Sequence, residues 1–165
     1  MTAPALSERL SALLAAVRPG APVWDLGCDH GRLGLNAVAD GRASHAFCVD
    51  RSPAAIASLQ SILDAHVAPA LLPRLTLLCA DAARLEPRPV EGTVVIAGMG
   101  AGAMVRILDG FVVPNASPPL RLVLQPAVQP TRVAAWVAAS AFTLREQATV
   151  VDRQREHPLF IAERV

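Results

Sequence analysis

The sequence has no lysine and no tyrosine, and all fifteen of its basic residues are arginine. Without lysine there can be no Schiff base, no phosphate-loop lysine and no Ser–Lys dyad. Without tyrosine, that residue is unavailable as acid, base or stacking platform. Aromatic residues make up 4% of the chain: Trp24, Trp136, Phe47, Phe111, Phe142 and Phe160, most of them expected in the core or at its edges. Charged residues account for 18%, with no long run of one sign and a net charge of +1, which argues against disorder and against a general polyanion-binding surface. Cysteine occurs only at Cys28, Cys48 and Cys79, a spacing that fits neither a zinc site nor a disulfide scaffold. These read as reduced thiols, and the protein as cytoplasmic. No apolar stretch approaches the roughly 18 residues of a membrane span. The opening MTAPALSERLSALLAAV is interrupted by Glu8 and Arg9 and reads as an amphipathic helix, not a targeting segment. Neither a membrane nor a metal is expected as a partner.

What is abundant is apolar: 53% of 165 residues, enough for the core of one domain spanning 1–165. Short Val-, Leu- and Ile-rich runs occupy 22–28 (PVWDLGC), 45–50 (HAFCVD), 75–81 (LTLLCAD), 93–99 (TVVIAGM) and 120–126 (LRLVLQP). They alternate little, as parallel strands buried on both faces do. Helical patterns separate them at 31–39, 53–66, 101–112 and 131–140, with Pro53 and Pro130 placed to open two of these helices. The segment 114–119 (PNASPP) reads as a loop. Repeated β–α units imply right-handed crossovers and a doubly wound sheet. The segments 142–152 and 157–165 break the alternation. The polar link DRQRE between them is short, so they should pair antiparallel. The expected fold is α/β and Rossmann-like: a seven-stranded, mostly parallel sheet with a C-terminal antiparallel hairpin, the plan of class I methyltransferases.

Ligands of such sheets bind beyond the carboxyl ends of the strands, where the strand order reverses. The first run ends in Asp25-Leu26-Gly27-Cys28-Asp29-His30-Gly31. There Gly27 allows a sharp turn and close approach of a ligand, Asp25 and Asp29 offer negative charge to an amine, and His30 is a further contact. The second run ends in Asp50, able to accept both hydroxyls of a ribose. The third ends in Asp81, placed to accept from an exocyclic amine. Amine, ribose and adenine in succession describe S-adenosylmethionine. Any one of these aspartates alone would more often cap a helix or shape a turn; the case rests on the set. Competing motifs fail on spacing. The first-loop glycines at 27, 31 and 34 do not form G-x-G-x-x-G, and the G-x-G-x-G at 98–102 follows the fourth strand. In that fourth-strand loop, small residues leave room for a planar acceptor base.

Three stretches, Asp25-Leu26-Gly27-Cys28-Asp29-His30-Gly31, Ile96-Ala97-Gly98-Met99-Gly100 and Leu122-Val123-Leu124-Gln125-Pro126, stand in an order and spacing that resemble the bacterial tRNA adenine-22 N1-methyltransferases, the TrmK family. The similarity runs over nearly the whole chain. It implies that the 25–30 loop, Asp50 and Asp81 line a cofactor pocket, with Arg51, Ala82 and Gly98 beside them. It also implies that Gly98, Met99 and Gly100 border the target adenine, and that tRNA is the partner. The sequence departs from the family at Ala127, where Asn is usual after Gln-Pro, and at Glu156-His157-Pro158, where members carry Gly-Lys and an aromatic. The family also adds a C-terminal helical domain that helps hold tRNA, whereas this sequence ends at Val165. A homodimer, a helper protein or arginines such as Arg32, Arg51, Arg132, Arg153 and Arg155 would then supply RNA affinity.

The expected chemistry is in-line transfer of a methyl group to adenine N1, which is unprotonated at neutral pH and needs no strong base. Catalysis is then mainly positioning, with Asp29 facing the positive charge that develops on the base. The alternatives are the same fold acting on another RNA or a small molecule, and a non-catalytic relative that binds the cofactor.

Overall fold

The computed structural model describes residues 5–86, 88–111 and 119–164. Val112, Val165 and most of the loop expected at 114–119 lie outside the described residues. The first helix, α1 (Glu8–Ala16), is started by Ser7, whose hydroxyl accepts from Leu10 N. Then β1 (Val23–Leu26), α2 (Arg32–Ala39), β2 (Ala46–Asp50), α3 (Pro53–His66), β3 (Leu75–Cys79), β4 (Gly92–Ala97), α4 (Ala101–Phe111), β5 (Leu120–Gln125) and α5 (Pro130–Ala139) alternate as the sequence pattern predicts. Pro53 and Pro130 sit in the first turns of α3 and α5, where a missing N–H is harmless.

Seven strands form one sheet in the order β3-β2-β1-β4-β5-β7-β6. The first five are parallel, and β7 (Arg155–Arg164) runs antiparallel to both β5 and β6 (Thr143–Asp152). Order reverses between β1 and β4, neighbours in the sheet that are separated in the chain by two crossover units. The hairpin is tighter than the expected DRQRE link. Arg155 and Glu156 extend β7, leaving Arg153 and Gln154 as the turn, both at positive φ (48° and 63°). That is the geometry whose twist matches a two-residue hairpin, and no glycine marks it in the sequence.

Alternate residues of the central strands feed two cores. Trp24, Leu26, Val94, Ile96, Leu122, Leu124 and Phe160 pack with α4 and α5, whereas Val23, Val95, Val123 and Ile161 pack with α1 and α2. A smaller cluster of Cys28, Leu35, Cys48, Leu59 and Leu63 joins α3 to the first loop. Each fully buried Leu or Val contributes about 1.5–3 kcal/mol relative to exposure. Of the runs expected to be buried on both faces, β3 at one end of the sheet is only half-buried; β6, at the other end, is mostly exposed. No described helix is long and apolar enough to cross a membrane.

Candidate active site

The reversal between β1 and β4 opens a cavity of about 620 Å³ at the carboxyl ends of the strands, within the range of ordinary small-molecule sites. The first loop builds its floor. Gly27 takes φ +82° and Asp29 φ 50°, so the chain turns back and the N–H groups of Gly27 and Cys28 both donate to Val49 O, at 2.8 and 3.0 Å. A Cβ on Gly27 would lie 2.8 Å from Met99 Cε, so the β4 loop packs directly on the β1 loop.

Asp50 ties the next strand end to this floor. Its Oδ2 accepts from Asp29 N at 3.0 Å and its Oδ1 from Ser52 N at 2.9 Å. Each oxygen still has a lone-pair direction for a ligand hydroxyl. Asp81 caps the short turn Ala82–Arg84 through Ala83 N and also takes both Nη atoms of Arg106, at 3.0 and 3.2 Å. Arg106 and the Ala83 N–H hold its pKa below the usual carboxylate value. The roles expected of a lone aspartate are thus real, turn-shaping at Asp50 and capping at Asp81, alongside their place in the cavity wall.

Asp25 differs from the exposed anion that the sequence pattern suggests. It is buried, and desolvation raises its pKa to about 7; the nearby Asp50 charge adds to this and a hydrogen bond from the Gly34 backbone opposes it. At neutral pH the Asp25 carboxyl is close to half protonated. Asp29 is exposed, with His30 Nε2 at 3.6 Å from its carboxylate. Cys48 lies against Cys28, and this contact together with burial raises its thiol pKa well above the ordinary value.

Asp25, Gly27, Cys28, Asp29, His30, Asp50, Arg51, Asp81, Ala82, Gly98 and Met99 all line this cavity. Gly100 does not. It bridges Val128 and caps α4 through Met104 N. The sequence reading missed Arg9, Leu10 and Leu13 from α1, and Ala103, Arg106 and Ile107 from α4. The α4 trio follows i, i+3, i+4 spacing, the signature of one helix face, but the pattern alone does not say which face meets a ligand. For Arg9 no local signal exists, because its place depends on α1 docking over strands more than a hundred residues away. Among the described residues no group of three or more metal-ligating side chains comes together.

Residues 6–160 match a family model described as a methyltransferase domain, and the chain belongs to that family. Its fold is similar to an uncharacterized protein from Listeria monocytogenes serotype 4b, with a TM-score of 0.86 and 22% identity over 98% of this chain and 69% of that one. It is likewise similar to the m1A22 tRNA methyltransferase TrmK of B. subtilis, with a TM-score of 0.81 and 22% identity over 98% of this chain and 67% of that one. M. capricolum TrmK, solved with S-adenosylhomocysteine, gives 0.81 at 13% identity over 95% and 68% of the two chains. At these identities the likeness is one of fold. No curated protein matches the chain.

Proposed function

We propose that the chain is an S-adenosylmethionine-dependent methyltransferase, built as a single domain, that modifies N1 of an adenine in tRNA. The observation that carries this reading is the order of acids around one cavity: Asp25 and Asp29 at the first strand end, Asp50 at the second, Asp81 at the third. That order suits an aminium, a ribose diol and an adenine amine. The fold neighbours described as TrmK and as m1A22 tRNA methyltransferases support the choice of acceptor.

The residues fit the cofactor. Asp50 would hold the ribose, since its backbone bonds fix the carboxylate while leaving lone pairs free. Gly27, Cys28, Asp29 and His30 would flank the amino acid end. Arg51 and Ala82 would border the nucleoside, and Asp81 would accept from the adenine amine beside its bond to Arg106. The bound cofactor supplies a methyl group on a sulfonium. Gly98 and Met99 form the wall from which an acceptor base enters, with Gly100 shaping the turn behind them. The side chains position the acceptor and keep water out, and adenine N1 uses its own lone pair. Asp29 faces the positive charge left on the methylated base. A base paired in tRNA must leave its stack, at a cost of a few kcal/mol. Arg32 and Arg51 at the cavity, Arg132 beside Gly102, and a second copy or a partner protein would supply phosphate contacts.

The test is transfer of labelled methyl from S-adenosylmethionine to total bacterial tRNA, followed by nucleoside chromatography. Label in 1-methyladenosine is the expected result. Calorimetric binding of the cofactor with no label in tRNA would move the acceptor to another RNA or a small molecule. Failure to bind the cofactor would end the reading.

A further inference from the structure

The sheet ends at β3 on one side and at β6 on the other. β3 has five residues, a short edge of the kind that resists further pairing. β6 has ten, and it holds no glycine, proline or lysine to discourage a neighbour. Its charges, Arg145, Glu146 and Asp152, lie toward its two ends. Of the four large apolar side chains that stand exposed among the described residues, β6 carries two, Leu144 (42%) and Val151 (60%). Seven positions apart, they would point to opposite faces of a regular strand. The bulge between Leu144 and Glu146 changes this. Leu144 pairs with Ala162 and Val151 with Glu156, six positions apart on β7, so both lie on one face of the sheet. Gln147, opposite Phe160, and Thr149, opposite Pro158, stand between them on that face. The face therefore reads Leu-Gln-Thr-Val, apolar at both ends and polar in the middle.

We propose that β6 pairs antiparallel with β6 of a second copy of this chain, about a two-fold axis at Ala148. In such a contact residue i meets j and j meets i. Counting past the bulged Arg145, this register sets Leu144 against Val151 and Gln147 against Thr149, each twice. The first is an apolar pair and the second a hydrogen-bonding pair, the units that stabilise neighbouring strands. On the other face Glu146 meets Val150. Arg145, which also reaches Glu163, comes diagonally opposite Asp152, within range of a long side chain. Neighbouring registers lack this match. An axis at Gln147 sets Leu144 against Thr149, and an axis at Thr149 sets Glu146 against Asp152. The cavity at β1 and β4 is separated from β6 by β5 and β7, so pairing leaves it open in both copies. The pairing is thus independent of what the cavity binds.

Sedimentation velocity on the full chain, across a micromolar concentration series, tests this. Wild-type protein should form a dimer of the 17.3 kDa chain as concentration rises. Val151→Lys and Leu144→Asp each set a charge against an apolar side chain, and each should raise the dissociation constant about tenfold or more. Combined, the two substitutions place opposite charges at facing positions, so the double variant should regain association. Val90→Lys, at an exposed apolar residue outside β6, should associate as wild type does. Wild-type protein that stays monomeric throughout the series would overturn the inference. So would a dimer that survives both single substitutions, or one that Val90→Lys disrupts. A double variant as weak as the single ones would rule out the Ala148 register, and the inference with it.

Discussion

A carboxyl group sealed inside a protein resists ionisation, and Asp25 does so at the base of the cavity. Its folded pKa of about 7 stands above the 3.8 of an exposed aspartate. The native state therefore holds more protons than the unfolded chain between those values, and stability falls as pH rises through that window. At about 1.4 kcal/mol per pH unit the loss reaches at most about 4 kcal/mol. Asp25→Asn should flatten the pH dependence of thermal melting between pH 4 and 7 and raise the melting temperature at pH 8. If its melting profile kept the wild-type slope, desolvation of Asp25 would not be the cause. Asp50 calls for the opposite kind of test, because its oxygens are shared between the loop and the expected ribose. Asp50→Ala should weaken S-adenosylhomocysteine binding at least tenfold, the scale of lost hydrogen bonds to a charged group; calorimetry would show it. Glu163 gathers Arg18, Arg121 and Arg145, and the hydrogen bonds from Arg121 and Arg18 hold its pKa below the ordinary value. Its stabilising effect is present above about pH 4.5 and fades as the pH falls through the lowered value. Glu163→Gln should therefore melt earlier than wild type at pH 7, with the gap closing in acid.

Among the elements, the packing of α4 depends on a glycine. A Cβ on Gly110 would lie 2.1 Å from Ala83 O, a backbone atom that cannot swing aside. Gly110→Ala should force α4 off the 82–84 turn and cost about 1–3 kcal/mol, as overpacking does. It should also slacken the Arg106–Asp81 pair; chemical denaturation and cofactor titration would read the two effects separately. At the hairpin, the left-handed pair Arg153 and Gln154 runs against the preference of side chains with a Cβ. Gln154→Gly should stabilise the protein by about 1 kcal/mol, and an unchanged denaturation midpoint would argue against strain there. These two features show where the sequence could and could not be read. Apolar runs, prolines and strand-end acids act through spacing within a few residues, so the β–α order and most of the cavity floor could be found from them. The two-residue turn has no Asn-Gly signature, so β7 is expected from 157 on the sequence alone and begins at Arg155. Gly110 looks like any helical glycine until the backbone of Ala83 is set beside it. Gly100 was expected at the cavity from its motif, but its place is fixed by Val128, a contact across the sheet.

At the scale of the whole molecule, the sheet brings distant parts of the chain to one place. β1 pairs with β4 across two intervening units, α1 reaches β5 through Arg9 and Gln125, and Arg18 reaches Glu163 on β7. Contacts of such long range are slow to form, because loop entropy is lost before they are made. The anchoring of α1 has a temporal consequence. A growing polypeptide makes α1 first, but the helix has no finished surface to dock on until β5 and β7 have been made. During synthesis its apolar face, including Leu13 and Leu14, must wait uncovered or be shielded by another molecule. The wall made earliest is thus the last to be set, and a half-synthesised chain has no finished pocket in which to hold a nucleoside.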